Sequence, residues 1–317
     1  MRPLLTRRDF LARAAYTGAL LTVAKPQTRR AAPGRMYVSL NSSLTRQMAW
    51  PDFVRLAAKL GYGGVDVNLN AAKAAGVDAT RSLLGDLKLE ASVTGLPMQF
   101  AMPDEAAFQE SLKLLAENAT FAAAIGCNRM MAVMSPGSQT PKEERRKFVK
   151  DRLVVVSEVL QRSNIRLGLE FLGPLYMRTG ARSPYQFIYR LDETVALAKE
   201  CGPNIGVVLD AWHWFHSGGT TADIIEAGKS RIVHIHVSDA KPAPAEEVRD
   251  NQRFMPGEGV IDLIGFFQAL KKIGYEDGVS PEPLGRVPAE MPAEEAAQLA
   301  LETTMGVMKK AGVIPAP

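Results

Sequence analysis

Four apolar runs in the C-terminal half of the chain each end in a side chain able to hold a metal ion or move a proton. They are Arg166-Leu-Gly-Leu-Glu170, Ile205-Gly-Val-Val-Leu-Asp210, Ile232-Val-His-Ile-His236 and Val279-Ser-Pro-Glu282. As neighbouring parallel strands of a barrel, they bring three carboxylates and one imidazole to one side of its mouth, where the C-terminal strand ends carry the active site. An oxygen-rich set with one nitrogen, completed by substrate oxygens, suits one octahedral divalent ion better than a closed tetrahedral zinc site. Mn²⁺ fits first, with Mg²⁺, Co²⁺ or Zn²⁺ as alternatives. A single acid ending a strand usually caps the next helix, but four ligand types in succession are not accounted for that way.

His234 and His236 stand two apart on one run, so their side chains face the same way. The one nearer the C-terminal end, His236, should reach the metal; His234 then lies one layer deeper as a neutral buried imidazole or a supporting partner. In Asp210-Ala-Trp-His213-Trp-Phe-His216 an acid and a histidine three apart open a loop. That makes His213 a candidate substrate contact and leaves His216 peripheral. Trp212, Trp214 and Phe215 form either an apolar platform for a sugar or ordinary packing. The long polar stretch from Ser238 to Gly259 carries Arg253, a candidate for gripping a hydroxyl, carboxylate or phosphate, because loops at a catalytic face supply substrate contacts.

The elements that must position these residues alternate along the chain. Strand-like runs cover 36–41, 64–68, 89–94, 129–134, 166–171, 205–210, 232–238 and 279–283. Most are continuously apolar, as parallel strands covered on both faces are. Between them the helical period appears in Phe108, Leu112, Leu115, Ala119 and Ala122, in Val149, Leu153, Val156 and Leu160, and in Ile188, Leu191, Val195 and Ala198. Gly61, Gly126, Gly274 and Gly312 read as residues just past helix ends, and Ser183-Pro184 reads as a helix start. Leu60–Asp66 is echoed by Ile273–Val279, each a helix end turning into a strand. Eight such units, with no Gly-x-Gly-x-x-Gly after any strand, predict an α/β fold, a single-domain (β/α)8 TIM barrel over residues 36–317, rather than an open dinucleotide-binding sheet.

The chain holds 38 Lys and Arg against 34 Asp and Glu, yet the excess sits at one end. Residues 1–35 contain Arg2, Arg7, Arg8, Arg13, Lys25, Arg29, Arg30 and Arg35 against Asp9 alone, leaving 30 basic and 33 acidic residues in the body. No overall basic field is left for a nucleic acid. Thr6-Arg-Arg-Asp-Phe-Leu11 followed by a weakly apolar run from Ala14 to Ala24 resembles a bacterial twin-arginine signal. Residues 1–35 are therefore expected to be a signal peptide and linker, read by the twin-arginine export machinery and delivering a periplasmic protein. The run is too short for a membrane anchor. Cys127 and Cys201 fit neither a disulfide framework nor a thiolate metal site, and small buried residues are expected there.

Gly168-Leu-Glu170, Val207-Val-Leu-Asp210-Ala-Trp-His213, Val233-His-Ile-His236-Val-Ser-Asp239, Met255-Pro-Gly-Glu-Gly259 and Ser280-Pro-Glu282 together resemble the xylose-isomerase-like TIM-barrel superfamily over about residues 36–312. By resemblance to its epimerase and isomerase branch, Glu170, Asp210, His236 and Glu282 would hold the metal. Glu170 and Glu282 would face each other across the substrate as acid and base, and His213 and Arg253 would bind substrate oxygens. All four histidines lie between His213 and His236, which departs from the apurinic-site endonucleases with their early-strand histidines and three zinc ions. The early-strand histidine and mid-barrel lysine of true xylose isomerases have no apparent counterpart either. The leading expectation is an isomerase or epimerase acting on a small sugar by proton transfer α to a carbonyl. A lyase working by β-elimination on a 3-keto-glycoside or inosose would begin with the same step, and a non-catalytic exported sugar-binding barrel is the alternative of another class. A homo-oligomer is left open.

Overall fold

Eight parallel strands close into a barrel: β1 (Tyr37–Leu40), β2 (Gly64–Val67), β3 (Glu90–Gly95), β4 (Arg129–Met134), β5 (Arg166–Phe171), β6 (Ile205–Asp210), β7 (Ile232–Val237) and β8 (Gly278–Pro281). Each pairs with its sequence neighbour, and β8 pairs with β1. The computed structural model describes residues 35–45, 48–180, 183–288 and 290–314. The twin-arginine reading falls on residues that lie outside these. Among the described residues, no helix is long and apolar enough to cross a membrane.

Three strands run as the sequence predicts, and the others differ only at their ends. Each strand is followed by helix that returns along the outside of the barrel, from Trp50–Leu60 after β1 to Ala293–Lys310 after β8. The predicted apolar faces are the buried ones: Phe108, Leu112, Leu115, Ala119 and Ala122 on Glu105–Ala124, and Val149, Leu153, Val156 and Leu160 on Lys142–Gln161. Gly61, Gly126, Gly274 and Gly312 all take positive φ at helix ends, between 67° and 91°, a conformation open to glycine at little cost. The internal echo is structural too. Tyr62 and Tyr275 follow equivalent glycines, and both are buried, with hydroxyls donating to the Ala297 and Gly278 carbonyls. Gly168 and Gly206 stand opposite one another on β5 and β6; a Cβ on Gly206 would come within 2.3 Å of the Arg231 carbonyl oxygen.

Ser183-Pro184 does not start a helix. Ser183 bridges Gly180, Tyr185–Gln186 pairs antiparallel with Gly137–Ser138, and the helix begins at Leu191. Proline's fixed φ suits this extended strap as well as a helical first turn, so the pairing partner decides. Both cysteines are buried and unpaired; burial pushes each thiol up to about 12, away from thiolate chemistry.

Candidate active site

Strand register sets the height of each functional side chain. Asp210 of β6 stands opposite His236 of β7, and His236 stands opposite Ser280 of β8. Glu282 comes directly after β8, and its amide donates to the Val237 carbonyl at 2.9 Å, so the ladder continues one step beyond the strand. Glu170 arrives on β5, paired with Val208. As a result one ligand atom from each of Glu170, Asp210, His236 and Glu282 lies within 4.8 Å of all the others.

His236 is the hub of this cluster. Its Nδ1 lies 2.9 Å from Glu170 Oε1 and 3.5 Å from Glu282 Oε2. Burial by itself would favour the neutral ring, but Glu282 and Glu170 outweigh it and raise the imidazole well above its usual range. Burial likewise pushes the Asp210 carboxyl upward, and Arg253, His213 and His236 together bring it well below the carboxylate range. Glu282 is lowered in the same way, chiefly by His236 and Arg253 against its own burial.

Asp210 does both things its position allows. Oδ1 caps the short helix Ala211–His216 by accepting from the amides of Trp212 at 2.7 Å and His213 at 3.0 Å. Oδ2 accepts from Arg253 Nη1 at 2.8 Å. The guanidinium also reaches Glu282 Oε2 at 3.3 Å and Asp250 Oδ1 at 2.7 Å, and donates from Nη2 to His213 Nε2 at 3.1 Å. Burial lowers the His213 ring, and both of its nitrogens face donors, Arg253 Nη2 at Nε2 and the Gly173 amide at Nδ1, 3.4 Å away. Arg253 and His213, both predicted to contact substrate, are thus brought to the cluster but are bonded to each other and buried. A Cβ on Gly173 would meet the His213 carbonyl oxygen at 2.0 Å, so this corner accepts only glycine.

The loop carrying Arg253 is organised by Asp239, which the sequence shows only as part of a motif. Its carboxylate accepts from four amides: Ala240 at 2.8 Å, Ile261 at 2.9 Å, and Gly257 and Gly259 at 3.0 Å each. Asp239–Ala240 also pairs antiparallel with Arg253–Phe254, which sets the arginine against Asp210. The spacing between Asp239 and Met255-Pro-Gly-Glu-Gly259 is this ring of hydrogen bonds.

A divalent cation fits the donor set. Three carboxylates face only one guanidinium and one extra proton on His236, which leaves an excess of negative charge, and a proton is what an incoming metal displaces. The Nε2 atom of His236 is buried without a hydrogen-bond partner. His234 behaves as its depth predicts: fully buried, lowered well below its usual range by that burial, with Nε2 2.8 Å from Ser280 Oγ. His216 is half-buried and packs edge-on to Trp212 at 4.3 Å. Trp212 and Trp214 are core residues at 1% and 4% exposure, which leaves Phe215 as the only exposed aromatic of that segment.

A cavity of about 370 Å³ opens beside the cluster. His236 and Glu282 form one wall, and Asn41, Asp66, Asn68 and Thr94, from the ends of the first three strands, form another. Asp66, next to last in β2, is a site residue that the sequence reading does not single out. Ser39 and Ser280 donate to its Oδ1 at 2.7 and 2.8 Å, and Asn41 donates to Oδ2 at 3.1 Å. Burial raises this carboxyl to about 6 against the lowering by His236 and the serines.

Relatives share this architecture. An inosose isomerase of Bacillus subtilis (strain 168) is 31% identical over 169 residues, 53% of this chain and 58% of that protein, so the match spans little over half its length. The L-ribulose-5-phosphate 3-epimerase UlaE of Salmonella paratyphi A is 26% identical over 84% of this chain and 93% of its own. Among solved structures, a xylose isomerase domain protein from Alicyclobacillus acidocaldarius superposes with a TM-score of 0.79 at 26% identity, over 87% of this chain and 99% of that one. A zinc-bound IolI protein shares the fold, with a TM-score of 0.74 at 23% identity over 87% and 99% of the two chains. The model of the xylose isomerase-like TIM barrel family matches residues 54–304, most of the barrel and every residue of the four-ligand cluster, and the chain belongs to that family.

Proposed function

We propose that the protein is a divalent-metal-dependent isomerase or epimerase of a small polyhydroxy carbonyl compound, working by proton transfer at the carbon next to the carbonyl. The observation that carries this reading is the convergence of Glu170, Asp210, His236 and Glu282 within 4.8 Å beside an open cavity. The names of the relatives, inosose isomerase and L-ribulose-5-phosphate 3-epimerase, support the same reaction class. The zinc in the IolI structure supports a divalent ion, and the oxygen-rich donors favour Mn²⁺.

When bound, the ion polarises the carbonyl and its neighbouring hydroxyl and stabilises the negative charge left by loss of a proton. Glu170 and Glu282 come from strands that are not neighbours and reach the cluster from two sides. One carboxylate removes the α-proton and the other returns a proton to the opposite face, which inverts the carbon, or to the adjacent carbon, which moves the carbonyl. Both groups sit against His236, Glu170 at 2.9 Å and Glu282 at 3.5 Å from its Nδ1. Arg253 keeps Asp210 and Glu282 ionised and in place, and it and His213 become substrate-oxygen partners when a ligand enters.

Incubating the Mn²⁺-supplied protein with a panel of keto-sugars in deuterated water tests this. Exchange at the carbon next to the carbonyl, with the substrate's mass otherwise conserved, is the expected result. Release of water or an aglycone assigns β-elimination instead, and absence of exchange together with absence of bound metal removes the reading. We also propose twin-arginine export to the periplasm, supported by Thr6-Arg-Arg-Asp-Phe-Leu11; Arg7→Lys with Arg8→Lys should retain the protein in the cytoplasm of a bacterial host.

A further inference from the structure

Asp66 is a carboxylate that no Lys or Arg pairs with among the described residues. Among the described residues its one ion-pair contact is His234, at 3.9 Å, and that ring's Nε2 lies nearer Ser280 Oγ, at 2.8 Å. The hydroxyls of Ser39 and Ser280 and the amide of Asn41 tie it to β1 and β8. A neutral side chain could make those ties, and burying a carboxylate without a cation is costly. A carboxylate has about four acceptor positions. Two are used on Oδ1 and one on Oδ2, so Oδ2 retains one, and Asp66 lines the cavity. Asn41 cannot turn away to take it up, because its own carbonyl accepts from the Ser43 amide at 2.8 Å.

Position adds to this. An Asp66 oxygen lies within 4.8 Å of a His236 ring nitrogen, so a hydroxyl held by Asp66 belongs to a carbon close to the carbonyl that the main cluster would engage. The cavity wall holds two carboxylates, Asp66 and Glu282, against one imidazole, His236, and no Lys or Arg among its described residues. A carboxylate is an acceptor only: it welcomes a hydroxyl donor and repels a phosphate dianion.

We propose that Asp66 is a specificity residue, accepting a hydrogen bond from a substrate hydroxyl near the reacting carbons and selecting an uncharged polyhydroxy ketone over its phosphorylated counterpart. This rests on the isomerase reading for the place of the carbonyl, but it is tested by binding alone. The probes are myo-inositol, a non-reacting uncharged polyol, and myo-inositol 1-phosphate, titrated calorimetrically into the Mn²⁺-loaded wild type and Asp66→Asn. The wild type should bind inositol at least tenfold more tightly than the phosphate. Asp66→Asn should lose at least tenfold in inositol affinity while holding Mn²⁺ as the wild type does, which a merely structural role would not produce. Equal binding of the two probes, no inositol binding by the wild type, or an unchanged affinity in Asp66→Asn overturns the proposal. The two-probe comparison needs no variant, so it decides even where the substitution prevents folding. Selective inositol binding without deuterium exchange keeps this inference and removes the isomerase reading; the reverse pattern removes this one.

Discussion

His236 Nδ1 sits 2.9 Å from Glu170 Oε1, and the two form an ion pair in the metal-free protein because neighbouring carboxylates hold the imidazole protonated well above its usual range. Metal binding must displace that proton. Affinity for Mn²⁺, measured by competition with a chelator, should therefore rise with pH between 6 and 8 by about tenfold per unit for one proton released. A flat profile would mean that His236 is not a ligand.

Glu170→Gln and Glu282→Gln keep the shape of each side chain and remove its basicity. Each should cut solvent-deuterium exchange into substrate by about 100- to 10,000-fold, the range for a lost general acid or base. For an epimerase the two variants should differ in which of the two epimers still exchanges. If either variant exchanges both epimers at the wild-type rate, the paired-carboxylate mechanism is wrong.

Arg253 and Asp210 form a salt bridge at 1% and 0% side-chain exposure. Removing one member of such a buried pair leaves the other uncompensated and costs about 3–5 kcal/mol. Arg253→Met should lose that much stability in denaturant unfolding with chelator present, and less with saturating Mn²⁺, because the ion then balances Asp210 and Glu282. Equal losses in both conditions would separate Arg253 from the metal cluster.

Asp239 tests the loop rather than the cluster. Asp239→Ala breaks four hydrogen bonds from backbone amides, and bonds to a charged group are worth about 1.5–3 kcal/mol each, though the freed loop recovers part of this by reaching water. Proteolysis near residues 240–260 should become much faster, and turnover should fall because Arg253 is no longer held against Asp210. A variant with wild-type protease resistance would refute the anchoring role.

The sequence discloses the barrel and one half of its mouth for the same reason. Parallel strands are buried on both faces, so β5, β6 and β7 read as largely apolar runs, and a polar residue at the end of such a run stands out, as Glu170, Asp210 and His236 do. Asp66 escapes because β2 is four residues long and its acid sits among Gly, Val and Asn, with no long apolar run before it. The engagement of Arg253 with His213 escapes for another reason: it depends on how a loop folds back, and Asp239's four amide bonds are written in backbone geometry rather than in side-chain pattern. Ser183-Pro184 misleads because serine before proline suits two local structures, and only the partner strand at Gly137–Ser138 chooses between them.

His216 sets a limit on acid stability. Burial holds its ring down at about 4, against an ordinary value of 6.5, so the unfolded chain takes the proton first. Its contribution is intact above about pH 6.5 and is lost as pH falls toward 4; the lowered rings of His213 and His234 act in the same sense. Asp66 works against them. Its carboxyl is raised to about 6 from 3.8, so the folded state takes this proton first and stability is regained as pH falls through that window. His236, raised in the folded state, likewise favours folding at lower pH. In chelator, the melting temperature of the wild type should therefore fall only gradually from pH 7 to 4.5. His216→Gln should flatten that fall and Asp66→Asn should steepen it, whatever either does to stability at pH 7. The slope is the quantity to compare, since each substitution also alters packing, and a His216→Gln slope equal to the wild type's would show that this ring does not titrate with folding.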